Sequence, residues 1–391
     1  MMFRTLFASA LAFASAAMPA WTIEIATGKM LGSRFDPRAF YVREGKGPWT
    51  KTYSGASFHP EAAGRLMNLR IAQALFDDEW LTEGQVDPKQ NTARVIAALD
   101  TYRKHGILAI NVSLQCGNAG YGREVPEIRR TNAAKAGAGK GFLCSAFLPD
   151  GTMKPAWQQR LLSLARALDE RGMILDLMYF YQSQDEVLKD PEAIRNAVKN
   201  ATDFLIDQNL RNVIIEIANE QDVRGWDHEL YIERDMGALM EIARERFRIK
   251  QAPFLLPISA SSGPSMKLFD STIVHADLTI VHGNNWAPGP KGARIKALYD
   301  DPRAPGPILM NEDDNGRETS EENLQKELAS CDAVWEAGGS WGYMPWRQTQ
   351  MYPFRFYDPV GDSQDERYFR AVLTHIRNKV FRQQDKKHRS R

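Results

Sequence analysis

The strongest constraint on the fold of this chain is a repeated alternation. Eight apolar runs of strand length recur between residues 69 and 346, and helix-like or connecting segments separate them. The runs are LRIAQALFD (69–77), ILAINVSLQ (107–115), MILDLMYFY (173–181), NVIIEIANE (212–220), PFLLPISAS (253–261), DLTIVHGN (277–284), PILMNED (307–313) and GSWGYMPW (339–346). Near-continuous apolar character suits strands of a parallel sheet covered on both faces. Several intervening segments carry helix punctuation. Asn91 can cap a helix with Val95, Ile96, Leu99 and Tyr102 on one face, ending near Gly106. Pro155 opens a second, with Leu161, Leu162, Ala165 and Leu168 aligned. Asp190-Pro191-Glu192 supplies a capping side chain followed by a proline where no amide donor is needed. Thr319-Ser320-Glu321-Glu322 opens a helix with Leu324, Leu328, Cys331 and Trp335 on one face. The weakest helix falls between the fifth and sixth runs, where the spacing is short.

Strand–helix alternation implies right-handed crossovers, and eight repeats favour a closed barrel over an open doubly wound sheet. No G-x-G-x-x-G follows the first strand, which disfavours a dinucleotide fold. The expected fold class is therefore α/β, a single-domain (β/α)8 TIM barrel over residues 61–384. Residues 21–60 read as a lead-in packed on the barrel, and 385–391 (DKKHRSR) as a basic flexible tail. Residues 1–20 have the outline of a secretory signal: Arg4, an apolar run from Leu6 to Ala14, then small residues, with candidate cleavage points after Ala16, Ala17 or Ala20. The expected location is secreted or periplasmic. No other segment approaches the ~20 apolar residues of a membrane span, so the mature chain is not expected in the membrane.

The 391 residues carry 50 Lys and Arg against 49 Asp and Glu, a formal net charge of +1. That balance argues against a nucleic-acid partner, which calls for a basic excess or stripe. Three cysteines without metal spacing give no zinc signature. Cys116 and Cys144 flank a long insertion after the second strand and could be bridged, or could be free core thiols like Cys331. No cofactor is expected.

In a parallel barrel, catalytic groups come from the C-terminal ends of the strands. Those ends read Phe76-Asp77-Asp78, Gln115, Tyr181-Gln182, Asn219-Glu220, Ser259 to Ser262, His282-Gly283-Asn284, Asn311-Glu312 and Trp346-Arg347. This is a polar and aromatic rim above an apolar barrel. Glu220 closes the fourth run and Glu312 the seventh. Those two strands face each other across an eight-stranded barrel, so two glutamates at their tops can converge on one bond.

On these residues the sequence resembles the clan-A retaining glycoside hydrolases, over roughly residues 60–380. The resemblance rests on the Asn-Glu pair ending strand four, the glutamate ending strand seven, and an aromatic at strand eight that Trp346 or Trp341 supplies. It implies Glu220 as acid/base, Glu312 as nucleophile, and Asn219 as the partner of the sugar 2-hydroxyl. It also implies Glu216, in the E-x-x-N-E run, as a structural group inside the barrel. Where better-known families carry a tyrosine two residues after the strand-six histidine, this chain has Asn284. The strand-seven end, NEDDNG, carries two further aspartates, Asp313 and Asp314.

Glycoside cleavage passes through an oxocarbenium-like transition state, so one carboxylic acid must protonate the leaving oxygen while one carboxylate attacks the anomeric carbon. His282, Asn284 and Gln115 could orient a carboxylate or a sugar hydroxyl, with Asp77 a further candidate for substrate. Tyr181, Trp286 and Trp346 offer flat faces for sugar rings. The expected partner is a carbohydrate. Two other readings stand beside the hydrolase: a non-catalytic carbohydrate-binding barrel, and a metal-dependent hydrolase using Asp77, Asp78, Asp313, Asp314 and His282. Against the latter there is no H-x-H on an early strand and no H-E-x-x-H.

Overall fold

The computed structural model of the chain describes residues 21–77, 86–116, 144–228, 235–314, 318–352, 354–356 and 361–382. The signal-like segment, Asp78, most of the insertion after the second run, and the basic tail lie outside these residues.

Three strands come first: β1 (Ile23–Thr27), β2 (Phe40–Glu44) and β3 (Thr50–Lys51), joined as an antiparallel sheet. The sheet is tied to the base of the barrel. Ile25 donates its amide to the Arg211 carbonyl, just ahead of the fourth barrel strand, and the Asp169 carboxylate accepts from the amides of Thr22 and Ile23. Trp21 stacks on Arg211 (4.3 Å) and Trp49 on Arg43 (4.7 Å), and both arginines pair with the buried Glu24. These contacts lie at the end of the barrel away from the strand tops.

The barrel follows: β4 (Asn68–Arg70), β5 (Ala109–Ser113), β6 (Ile174–Phe180), β7 (Val213–Ala218), β8 (Ile258–Ser259), β9 (Ser261–Ser262), β10 (Thr279–His282), β11 (Ile308–Glu312) and β12 (Ser340–Tyr343). The ladder runs β8-β7-β6-β5-β4-β12-β11-β10-β9, every pair parallel. Only Ala260 separates β8 from β9, so the two are halves of one fifth strand, one half pairing backwards to β7 and the other forwards to β10. The ladder thereby closes as the eight-stranded TIM-type barrel.

The helices pack outside: α1 (Gly28–Leu31), α2 (Pro88–Lys104), α3 (Pro155–Asp169), α4 (Pro191–Asp207), α5 (Met236–Ile249), α6 (Asp270–Ile273), α7 (Pro288–Asp300), α8 (Glu321–Glu336) and α9 (Gln364–Val380). The capping residues behave as their chemistry dictates. The Asp190 carboxylate accepts from the Ala193 amide, and Ser320 from Asn323. α6, between the fifth and sixth strands, is a single turn. One helix cap changes. Asp87, not Asn91, caps α2; Asn91 is buried inside the helix and donates to the Gln73 carbonyl.

The first strand is the larger correction. Its pairing ends at Arg70, and Ala72–Leu75 turn into a 3-10 helix. All of this stretch is buried, so an unbroken apolar run carries no period to separate strand from turn. The strand top is therefore Arg70 rather than Phe76-Asp77-Asp78. Cys116, Cys144 and Cys331 are free and buried. The first two lie side by side, with the Cys116 amide donating to the Cys144 carbonyl at 2.9 Å.

Candidate active site

Glu220 follows β7 by two residues. Its backbone is left-handed (φ 48°), uncommon for a residue with a Cβ, and its amide is pinned by the Ser261 hydroxyl at 2.8 Å. That conformation turns the side chain towards the barrel axis. Its Oε1 lies 3.0 Å from His282 Nδ1, and its Oε2 accepts from the Gln182 amide at 3.0 Å.

Glu312 is the last residue of β11. A register shift between Val281 and His282 sets His282 opposite Glu312. Gly283 permits this crowding, since an added Cβ would sit 2.5 Å from Met310 Sδ and 3.0 Å from Asp313 Oδ1. Glu312 Oε1 accepts from Asn284 Nδ2 at 2.5 Å, and Oε2 lies 2.8 Å from Arg70 Nη2 and 3.4 Å from His282 Nδ1. Burial alone would push this carboxyl up. The charges of Arg70 and His282 and the Asn284 hydrogen bond outweigh that and hold it below the usual carboxylate range. His282 shows the converse. Burial opposes its charge, but Glu312 and Glu220 on either side raise it above the ordinary imidazole value.

The ligand-capable atoms of Glu220, His282 and Glu312 all lie within 4.8 Å of one another. The two glutamates open onto a cavity of about 330 Å³, at the small end of ligand sites. Tyr181, Asn284, Asp314 and Trp346 line it beside the two glutamates.

The remaining candidates separate into those at the cavity and those behind it. Asn219 is fully buried, its Oδ1 taken by Arg70 (2.7 Å) and its Nδ2 by Gln182 Oε1 (2.8 Å). Gln115 is also fully buried. It accepts from the Tyr181 amide and donates to Ser145 and to the Gln184 carbonyl, so it shapes the Tyr181 turn and does not line the cavity. Trp286 donates to the carbonyl of Pro264, a lining residue, at 2.7 Å and packs on the core without lining the cavity itself. Asp77, displaced from the strand top by the early end of β4, pairs with Arg160 at 2.8 Å. Trp341 is buried, stacked on Tyr343, and donates to Asp313, which leaves Trp346 as the strand-eight aromatic at the cavity. Asp313 is buried against Lys291 (2.6 Å), and Asp314 lines the cavity next to the nucleophile candidate.

Sequence reasoning missed Arg70 and Asp176 and gave Gln182 no role. Arg70 is wholly buried beneath the glutamates. Its one signal is a cation inside an apolar run, a position tolerated only with a charge partner. Gln182 was legible as a strand end and carries the link to Glu220. Asp176 lies under the site with Glu216, and Asn111 and Asn311 amides bond both carboxyls. Burial and the neighbouring Glu216 push Asp176 up to about 7, and burial raises Glu216 as well.

No family model matches the chain, and no curated protein matches it in sequence. Solved structures do. A GH5-4 broad specificity endoglucanase from Clostridium longisporum aligns at TM-score 0.50 and 9% identity, over 81% of this chain and 97% of that one. A GH5_18 protein from Streptomyces cattleya, in complex with GlcNAc, aligns at 0.48 and 15%, over 80% of each chain. The exo-β-1,4-mannosidase Op5Man5 from an Opitutaceae bacterium aligns at 0.49 and 14%, over 83% of this chain, which spans 61% of the mannosidase. At such identities the likeness is one of fold alone: the chain shares the (β/α)8 barrel of these glycoside-hydrolase structures.

Proposed function

We propose that this protein is an exported retaining glycoside hydrolase that cleaves an oligo- or polysaccharide by double displacement, with Glu312 as nucleophile and Glu220 as acid/base. One observation carries the reading: two carboxylates approach within 4.8 Å above a barrel cavity, and Arg70, His282 and Asn284 hold one of them ionised. Retaining enzymes keep such groups about 5–5.5 Å apart. Export rests on the signal-like residues 1–20.

In the first step a Glu312 oxygen bonds to the anomeric carbon while the glycosidic C–O bond breaks. Glu220 gives its proton to the leaving oxygen. In the second, Glu220 takes a proton from water, and the water oxygen displaces Glu312 from the anomeric carbon. Arg70 and Asn284 favour the ionised nucleophile and fix both of its oxygens. Trp346 and Tyr181 give the cavity aromatic surface suited to the C–H faces of a sugar.

Separate Glu220→Gln and Glu312→Gln variants test the assignment. Each should lower kcat by several orders of magnitude, and a 2-fluoro glycoside should label the peptide containing Glu312. Full activity in both variants refutes it. The convergence of Glu220, His282 and Glu312 also supports a second reading, a metal-dependent hydrolase. The Arg70 guanidinium, 2.8 Å from Glu312, disfavours a cation there. Reversible loss of activity on chelation would favour that second reading.

A further inference from the structure

The two glutamates belong to a closed ring of polar side chains. Glu312 Oε2 meets Arg70 Nη2 (2.8 Å), which also donates to Asn219 Oδ1 (2.7 Å). Asn219 Nδ2 donates to Gln182 Oε1 (2.8 Å), and Gln182 Nε2 donates to Glu220 Oε2 (3.0 Å). Glu220 Oε1 meets His282 Nδ1 (3.0 Å), which returns to Glu312 Oε2 (3.4 Å). Five of the six members are buried; Gln182 alone is half-buried.

We infer that Gln182 is the positioning residue for the general acid, a role that rests on the assignment of Glu220 proposed above. The ring itself fixes which way the Gln182 amide faces. Arg70 can only donate, so Asn219 must present its oxygen to Arg70 and its nitrogen to Gln182. Gln182 must then turn its oxygen to Asn219 and its nitrogen to Glu220, since the flipped amide would set its nitrogen against the Asn219 nitrogen. The turn that presents Gln182 is itself held: Ser183 donates to the Gly225 carbonyl at 2.7 Å, and Gln115 grips both the Tyr181 amide and the Gln184 carbonyl. Gln115, which does not line the cavity, thereby supports a group that touches the acid.

Glu220 has a flexible side chain on a strained backbone, and only two ring members restrain its carboxyl: His282 at one oxygen and Gln182 at the other. Removing Gln182 leaves that carboxyl free to rotate about the His282 contact. Proton delivery to the leaving oxygen suffers, while attack by Glu312, held by Arg70, Asn284 and His282, does not. The role is therefore read from the dependence of rate on the leaving group, which a merely structural residue would not change.

The test compares wild type, Glu220→Gln, Gln182→Met and Gln182→Glu on aryl glycosides spanning good to poor leaving groups. Met keeps the length of Gln without its amide, and Glu cannot donate. Gln182→Met should lower kcat/KM by about 10²-fold for a poor leaving group, the scale of loss from an ångström of misplacement, and leave a dinitrophenyl glycoside within about threefold. Gln182→Glu should show the same selectivity with a larger loss. Melting temperatures of all variants establish that they are folded. If Glu220→Gln shows selective loss and both Gln182 variants show uniform loss or none, the inference is overturned and the assignment of Glu220 survives. If Glu220→Gln shows no such selectivity, or the wild type cleaves no glycoside, that assignment fails and the inference fails with it.

Discussion

Replacing Arg70 by Met gives the sharpest stability test of the site. The guanidinium is fully buried, donates to Asn111 Oδ1 at 2.6 Å and Asn219 Oδ1 at 2.7 Å, and is ion-paired with Glu312 Oε2 at 2.8 Å. Methionine fills much of the volume and donates to none of them. Breaking a buried ion pair from one side destabilises by about 3–5 kcal/mol, because the abandoned charge stays out of water. Against a typical total of about 5–15 kcal/mol, the variant should still fold but with a much smaller margin. The pH dependence gives a second handle. The folded Glu312 carboxyl is held below its unfolded value, so its contribution to stability is present above the unfolded pKa, about 4.3, and is lost as pH falls through the folded one. Without Arg70 most of that contribution disappears. The stability gap between wild type and Arg70→Met should be full at pH 7 and should shrink in the acid range. Urea unfolding followed by tryptophan fluorescence at pH 7 and near pH 4 measures both. A gap below about 1 kcal/mol, the scale of an exposed pair, or one unchanged between the two pH values, refutes the reasoning.

Other groups give further tests. Asp176 is pushed up to about 7 by burial and by Glu216, against about 3.9 when unfolded, so wild-type stability should fall as pH rises from about 4 to 7. Asp176→Asn keeps an acceptor for the Asn111 and Asn311 amides and should flatten that slope; an unchanged slope in denaturant titrations would assign it to another group. Lys291 is buried against Asp313 and Ser330, and Lys291→Met should destabilise by about 3–5 kcal/mol in the same unfolding assay, with a loss under about 1 kcal/mol counting against a tight pair. The three free thiols are buried, so a thiol reagent should label none in the native protein and all three once it is unfolded. A single equivalent after unfolding would reveal a Cys116–Cys144 bridge.

The strand tops that were legible share a pattern: a polar residue stops an apolar run abruptly. Glu220, His282 and Glu312 fit it, because acids and an imidazole at the end of a strand buried on both faces need polar partners there. Arg70 breaks the pattern. It lies inside its apolar run, and the residues after it are buried as a turn rather than a strand, so the run overshoots the true strand top by several positions. Gln115 and Trp286 show a second limit. Rim composition marks residues near a site but not the direction their side chains take, and here backbone carbonyls claimed both.

The departure at strand six is more instructive than either. A tyrosine is absent two residues after His282, yet the place beside Glu312 is filled: Asn284 donates to Glu312 Oε1 at 2.5 Å and accepts from the Asp314 amide at 3.0 Å. A carboxylate in this setting needs a donor at that spot, whichever residue supplies it. An amide meets the need without an ionisable proton, and its second half ties strand six to the end of strand seven. The demand is therefore set by the buried charge of Glu312, and the residue identity by which donor the local backbone can reach. That is why a departure from a family's residue pattern can leave the contacts of a buried carboxylate intact.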